Sequence, residues 1–240
     1  MVTRLSLALL PSEAALLRAD CYIVVDALRA TTTLATIFSR GALDLWVADE
    51  MGLARELAVQ HDAVLVGEVG GLRPDGFTFG NSPAEIEAGQ PIERAVMFTT
   101  NGTRALCSAA QRGVTFAGAL VNASAVASAV QGFAHVALVC AGESGGQRFA
   151  LEDFAAAAAV ARRLIRAGQQ TGYDDATRIA IASDDSRSRE WMADAEHAEA
   201  LRRLGLEQDV AFASRPDVVS CAPRVVEAGS GWARLRDASA

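Results

Sequence analysis

The feature that most constrains this chain is a repeated alternation. A short β-rich apolar run ends in a turn of acids, glycines or threonines, and an alanine-rich stretch with helical spacing follows. The runs lie at residues 22–25, 43–47, 63–66, 95–98, 136–139 and 178–182, and the alanine-rich stretches at 32–40, 51–60, 103–112, 123–131 and 153–167. Strands that alternate with helices predict an α/β fold with a mostly parallel sheet, because a helix is the usual crossover between parallel strands. The runs are apolar throughout rather than at every second position, which fits strands covered on both faces.

Residues 185–204 break the alternation. They are charged, carry Trp191, Met192 and His197, and predict one exposed amphipathic helix that stops at Gly205. Strand-like pieces at 210–213, 217–220 and 224–227 then form a smaller C-terminal lobe over 181–240, beside a main domain over 1–180, or return to the main sheet. Residues 227–240 read as loosely ordered. Hydrophobic residues make up 51% of the 240, enough for a sizeable core. The net charge of −7 argues against a nucleic-acid surface but permits a small anion where positive charge is focused locally. Cys21, Cys107, Cys140 and Cys221 are widely spaced and form no C-x-x-C pair, so they read as packed thiols. His61, His135 and His197 show no ligand spacing and read as surface or satisfied core residues. No leader and no apolar stretch of membrane-spanning length is visible, so the expectation is a cytoplasmic protein without a membrane partner.

In open α/β sheets, ligands bind outside the carboxyl ends of strands. Asp26 ends the first run and is followed by Arg29 and by Thr31, Thr32 and Thr33. A carboxylate there suits a divalent cation or attack on phosphorus, the guanidinium suits a phosphate or carboxylate, and the threonines open a helix whose N–H groups favour an anion. The plainer alternative is that Asp26 and Thr31 cap that helix. Glu68 follows the third run within a glycine-rich loop that closes on Asn81, Ser82 and Pro83, or the loop is purely structural. Thr99, Thr100, Asn101, Gly102, Thr103 and Arg104 repeat the pattern of strand, hydroxyl-rich turn and helix: an anion cradle, or an N-cap turn. Glu152 and Asp153 open another helix, as metal ligand and general base or as acids that complement the helix dipole.

Taken in order, these segments resemble the 2-phosphosulfolactate phosphatase (ComB-like) family. The resemblance rests on VVDALRATTTLAT, VGEVGG with GFTFGNSPAE, TTNGTRAL, ALVNASAVA, VALVCAGESGG and FALEDF, across about residues 20–160. It implies a three-layer α/β/α fold with a mixed sheet. It also implies Mg²⁺-dependent release of phosphate from a small anionic phosphoester, 2-phosphosulfolactate, to give sulfolactate for coenzyme M biosynthesis. Where the family has G-E-R-G-G this chain has Val69, and where it has G-F-D it has Thr78. If the missing cation binds the sulfonate, the preferred ester differs. On this reading Asp26 and Glu68, with Glu152 or Asp153, hold the metal. Arg29 and Arg104, with the two threonine-rich turns, bind the anionic oxygens. Attack by water and an aspartyl-phosphate on Asp26 both remain open. A haloacid-dehalogenase-like phosphotransferase would need a second Asp where Leu28 stands. A non-catalytic phosphometabolite-binding protein is the rival from another class. A homodimer is the default expectation for the assembly.

Overall fold

The computed structural model describes residues 2–167 and 172–239. Ten strands form one sheet: β1 (Arg4–Ala8), β2 (Cys21–Val25), β3 (Asp44–Ala48), β4 (Val64–Gly67), β5 (Arg94–Phe98), β6 (Val114–Gly118), β7 (His135–Cys140), β8 (Gly172–Tyr173), β9 (Pro223–Gly229) and β10 (Trp232–Asp237). Eleven helices are described: α1 (Pro11–Ala14), α2 (Ala30–Ser39), α3 (Met51–His61), α4 (Pro83–Ala88), α5 (Gly102–Ala110), α6 (Ala123–Ala129), α7 (Leu151–Ala167), α8 (Asp175–Ile181), α9 (Asp185–Asp194), α10 (Glu196–Arg203) and α11 (Glu207–Ala213).

The sheet order is β4-β5-β3-β10-β9-β6-β2-β7-β1-β8. Two groups are internally parallel: β4, β5 and β3 on one side, and β6, β2, β7, β1 and β8 on the other. The β9–β10 hairpin joins them with antiparallel pairing to both neighbours. The sheet is therefore mixed, and the tail contributes its centre.

Alternation along each strand divides the core. Tyr22 and Val24 of β2, with Leu45 and Val47 of β3, face α2, α4 and α5. Cys21, Ile23 and Val25 of β2 face the opposite layer, where α6, α7, α9 and α10 pack. On that same side Trp46 and Ala48 of β3 pack with α3. Three layers result, as the family resemblance implies. The all-Ala face of α7 from Ala155 to Ala159 is fully buried, which lets this helix lie close against the sheet.

Several expectations from the sequence are corrected. Residues 178–182 are not a strand: most of them belong to α8, started by the Asp174 carboxylate, which accepts from Thr177 N at 2.8 Å. The predicted helix over 185–204 is two helices, broken at Ala195, whose backbone is extended. Residues 210–213 lie in α11, where Asp209, Val210, Phe212 and Ala213 are buried at helical spacing. Residues 217–220 form no strand, whereas 224–227 lie in β9. The supposedly loose end contains β10, with Ala233 and Leu235 fully buried. β1 and β6 went unread as strands. All four cysteines are free and buried, as expected. Among the described residues, no helix is long and apolar enough to cross a membrane.

Candidate active site

The turns that follow β2, β4, β5 and β7 converge on one cavity of about 410 Å³, within the usual range for small-ligand sites. The two groups run in opposite senses, yet the start of α5, after β5, lies against Asp26 at the end of β2, so turns from both groups share the cavity. α10 closes the outer wall with Glu196, His197, Ala200 and Leu201.

Asp26 lines this cavity from the end of β2. Its Oδ1 accepts from Ala30 N at 3.1 Å, while its backbone exchanges hydrogen bonds with the Thr31 hydroxyl. Gly102 lies against the other oxygen: a Cβ there would stand 2.5 Å from Asp26 Oδ2. Glycine at the start of α5 is thus what lets the two threonine-rich turns meet. Burial pushes the Asp26 carboxyl up to about 6. Glu68 and Glu152 add to the rise, against the Ala30 N–H and His197.

Glu68 spans the β4 and β5 turns, accepting from Gly71 N and from Thr100 N, both at 2.8 Å. Each of its oxygens thus organises a backbone segment of the wall. Arg29 is 3% exposed and bridges to Asp209 Oδ2 at 2.7 Å and to Gly71 O at 2.6 Å. Breaking such a buried pair from one side costs about 3–5 kcal/mol, because a charge is left without its partner.

Glu152 sits behind the cavity wall and accepts from, or donates to, His197 Nδ1 at 3.0 Å, according to protonation. Burial alone would lower the His197 pKa, but the hydrogen bond and charge of Glu152, with Asp26 and Glu143, raise it on balance. Glu143, Glu152 and His197 offer ligand atoms that all lie within 4.8 Å of one another. The exposed Arg148 pairs with Glu143 at 3.6 Å and with Glu196 at 3.0 Å across the rim.

The structure thus brings together Asp26, Arg29, Glu68, Asn81, Thr100 and Asn101 as lining residues, with Glu152 adjoining. It places the other candidates elsewhere. Asp153 lies behind the wall. Its carboxylate accepts from Ala27 N at 2.8 Å and Gly142 N at 2.9 Å, which ties the end of β2 to the turn after β7. Burial, with Asp26 and Glu152 nearby, pushes its pKa well above the carboxylate range. Thr31 and Thr32 spend their hydroxyls on the carbonyls of Asp26 and Ala27, and the buried Thr33 hydroxyl has no partner. Thr99 and Thr103 bond to each other around the α5 start, where Gly102 packs on Asp26. Ser82 caps α4 and donates to Asp209 Oδ1 at 2.6 Å. Arg104 bonds Asp49 O from an exposed position outside the lining. Val69 and Thr78 are not lining residues either.

Reading the sequence missed His197, Glu143, Arg148 and Asp209. The expectation of a surface or core role holds for His61, stacked on Trp46, and for His135, bonded to Ser6, but not for His197, which lines the cavity. The signal for Glu143 is an acid directly after the buried Gly142, in the turn that follows β7.

The sequence matches the family model described as 2-phosphosulpholactate phosphatase over residues 9–228. It is 40% identical over 217 residues to a protein of Deinococcus radiodurans named a probable 2-phosphosulfolactate phosphatase, covering 86% of this chain and 88% of that one. It is 36% identical over 203 residues to the 2-phosphosulfolactate phosphatase of Methanocaldococcus jannaschii, covering 80% and 82%. A third relative, from Gloeobacter violaceus and named a probable 2-phosphosulfolactate phosphatase, is 35% identical over 219 residues, covering 88% and 90%. The matched span takes in every wall of the cavity, from Asp26 to Leu204, and this chain belongs to the 2-phosphosulfolactate phosphatase family.

Proposed function

We propose that the chain is a Mg²⁺-dependent phosphatase that hydrolyses a small acidic phosphoester, with 2-phosphosulfolactate as the substrate class. The observation that carries this reading is the charge of the cavity. Asp26, Glu68, Glu143 and Glu196 face Arg29, Arg148 and His197, and both arginines are already paired with carboxylates. A polyanionic ester entering such a space needs a cation beside it. The donor set fits one. Glu143 and Glu152 supply hard oxygen atoms of the kind Mg²⁺ takes while keeping several of its waters, and the lining His197 holds Glu152 by a hydrogen bond. When bound, the cation would polarise the phosphoryl oxygens and offset charge in the transition state. Asp26 and Glu68 lie in the same cavity; Glu68 shapes its wall through two backbone N–H groups.

Asp26 is suited to proton transfer. A carboxyl held near 6 changes protonation close to neutrality, where a general base is most effective. It can take a proton from the attacking water, and Arg29, fixed on two sides, holds the anionic oxygens. Neither departure from the family pattern reaches the lining, which favours the family's substrate class over a different ester.

The test is phosphate release from 2-phosphosulfolactate and a panel of other phospho-acids, with Mg²⁺ and with EDTA. Release that EDTA abolishes and Mg²⁺ restores supports the reading. No release from any ester, with binding still seen by thermal shift, would favour a non-catalytic phosphometabolite-binding protein. Trapping a phospho-enzyme on Asp26 would replace the general base with a nucleophile.

A further inference from the structure

Among the described residues, six buried side-chain polar atoms lack a hydrogen-bond partner, and two of them belong to residues that line the cavity: Arg29 Nε and Asn81 Oδ1. Arg29 is 3% exposed and Asn81 4%. Both atoms are enclosed by the wall itself, and leaving them unpaired is costly, so the surrounding structure must hold these two residues firmly in place. One carboxylate holds Arg29 directly and, beside it, the turn that follows Asn81. Asp209, on α11, gives Oδ2 to Arg29 NH1 at 2.7 Å. Its Oδ1 accepts from the Ser82 hydroxyl at 2.6 Å and from Ala84 N at 3.2 Å, which fixes the turn that presents Asn81. Asp209 itself is 1% exposed and does not line the cavity.

A buried ion pair is poor evidence of a stabilising design, since apolar replacements of the same shape often hold a fold as well. The pair does supply orientation. With NH1 on Asp209 and NH2 on Gly71 O, the guanidinium plane cannot turn, and its Nε–H stays uncommitted. We propose that Asp209 is a positioning residue of the phosphatase site: it sets the Arg29 guanidinium and the turn that carries Asn81 together, so that these two lining residues meet the bound ester in fixed relation. This rests on the phosphatase reading above, and it assigns to α11 a part in catalysis although no α11 side chain lines the cavity.

The test is kinetic. Asp209→Asn removes the counter-charge at nearly constant shape, and Ser82→Ala removes one hydrogen bond to the same carboxylate. With Mg²⁺ and 2-phosphosulfolactate, Asp209→Asn is expected to lose about 10–100-fold in kcat/KM, with KM raised, the scale usual for a group that orients a ligand-binding one. Ser82→Ala should move KM the same way by a smaller factor. In the combined Arg29→Gln and Asp209→Asn variant the two losses should fall short of multiplying, since Asp209 would act in part through Arg29. A folded Asp209→Asn protein within twofold of wild type would overturn the proposal. So would a loss in kcat alone that tracks the folded fraction at unchanged KM, or losses that multiply in the combined variant. If Asp209→Asn fails to fold, Ser82→Ala and the combined variant decide. If the wild type releases no phosphate at all, it is the phosphatase reading that fails. Calorimetry with inorganic phosphate and Mg²⁺ then decides the positioning role: weaker binding in Ser82→Ala upholds it, and an unchanged Kd, or no binding by the wild type, overturns it.

Discussion

Replacing Asp26 with Asn should raise stability and remove activity, and the stability gain should depend on pH in a defined direction. The carboxyl rises from an ordinary 3.8 to about 6 on folding, chiefly through burial. At about 1.4 kcal/mol for each tenfold change in acidity, keeping Asp26 ionised in the folded, metal-free protein costs about 3 kcal/mol. The sign follows from proton binding. Between about pH 4 and 6 the folded protein holds a proton that the unfolded chain has released, so wild type loses stability as the pH rises through that window. Asn carries no charge, and its side-chain oxygen can still accept from Ala30 N in place of Asp26 Oδ1. Asp26→Asn should therefore match wild type near pH 4 and exceed it by up to about 3 kcal/mol above pH 6, or roughly 6–12 °C in melting temperature for a chain of this size. The assay is thermal melting of both proteins in EDTA from pH 4 to 8, paired with phosphate release in Mg²⁺. Saturating Mg²⁺ should narrow the gap, because the wild type binds it more tightly. A variant that melts no higher than wild type at pH 7.5, or by a margin that does not change with pH, refutes the electrostatic reasoning. Retained turnover refutes the assignment of Asp26.

Gly102→Ala should destabilise by about 1–3 kcal/mol through overpacking against Asp26 and Ala30, and should lower kcat, as read by melting and phosphate release. Glu152→Gln should weaken Mg²⁺ binding about 10–100-fold in a calorimetric titration. The same change should lower the His197 pKa, visible as an NMR titration shifted to lower pH, because the Glu152 carboxylate is what raises it. Glu68→Ala should loosen the Gly71 and Thr100 turns together, seen as faster amide exchange at both positions.

The parts of the site that the sequence revealed are those in which a local pattern carries the role. Asp26 and Glu68 directly follow an apolar strand and Thr100 lies two residues past one, so the rule about strand ends finds them. His197 and Asp209 are different. His197 stands on a charged segment that reads as solvent-facing, and Asp209 directly precedes residues 210–213, which read as a strand; only the packing of α10 and α11 brings His197 to the cavity wall and Asp209 behind it. The threonine hydroxyls were legible as turn residues, but their consumption by backbone carbonyls is a property of the folded loop. In the fold, the sequence Ile179-Ala180-Ile181-Ala182 alternates as a strand does, and the Asp174 cap decides for helix. β9 was read and β10 was not. Among the residues of β9 only Pro223 is buried, and the charges on this hairpin mask its place at the middle of the sheet.

That place has a consequence for how the molecule is made. Among the described residues, β9 and β10 are the only strands that join the two parallel groups, and they follow in sequence every strand they connect. Asp26, Glu143 and Glu152 belong to one group, Glu68 and Thr100 to the other. Before residues 223–237 insert, the two groups are held together by the helices α2, α4 and α5 that pack against strands of both, and the sheet between them has no hydrogen-bonded continuity. Pairing of such long sequence separation is slow, and the half-sheets expose unpaired edges while they wait. Catalytic competence should accordingly be among the last properties this chain acquires in folding, and a truncation inside 223–237 should cost activity by removing the strands that fix one group against the other.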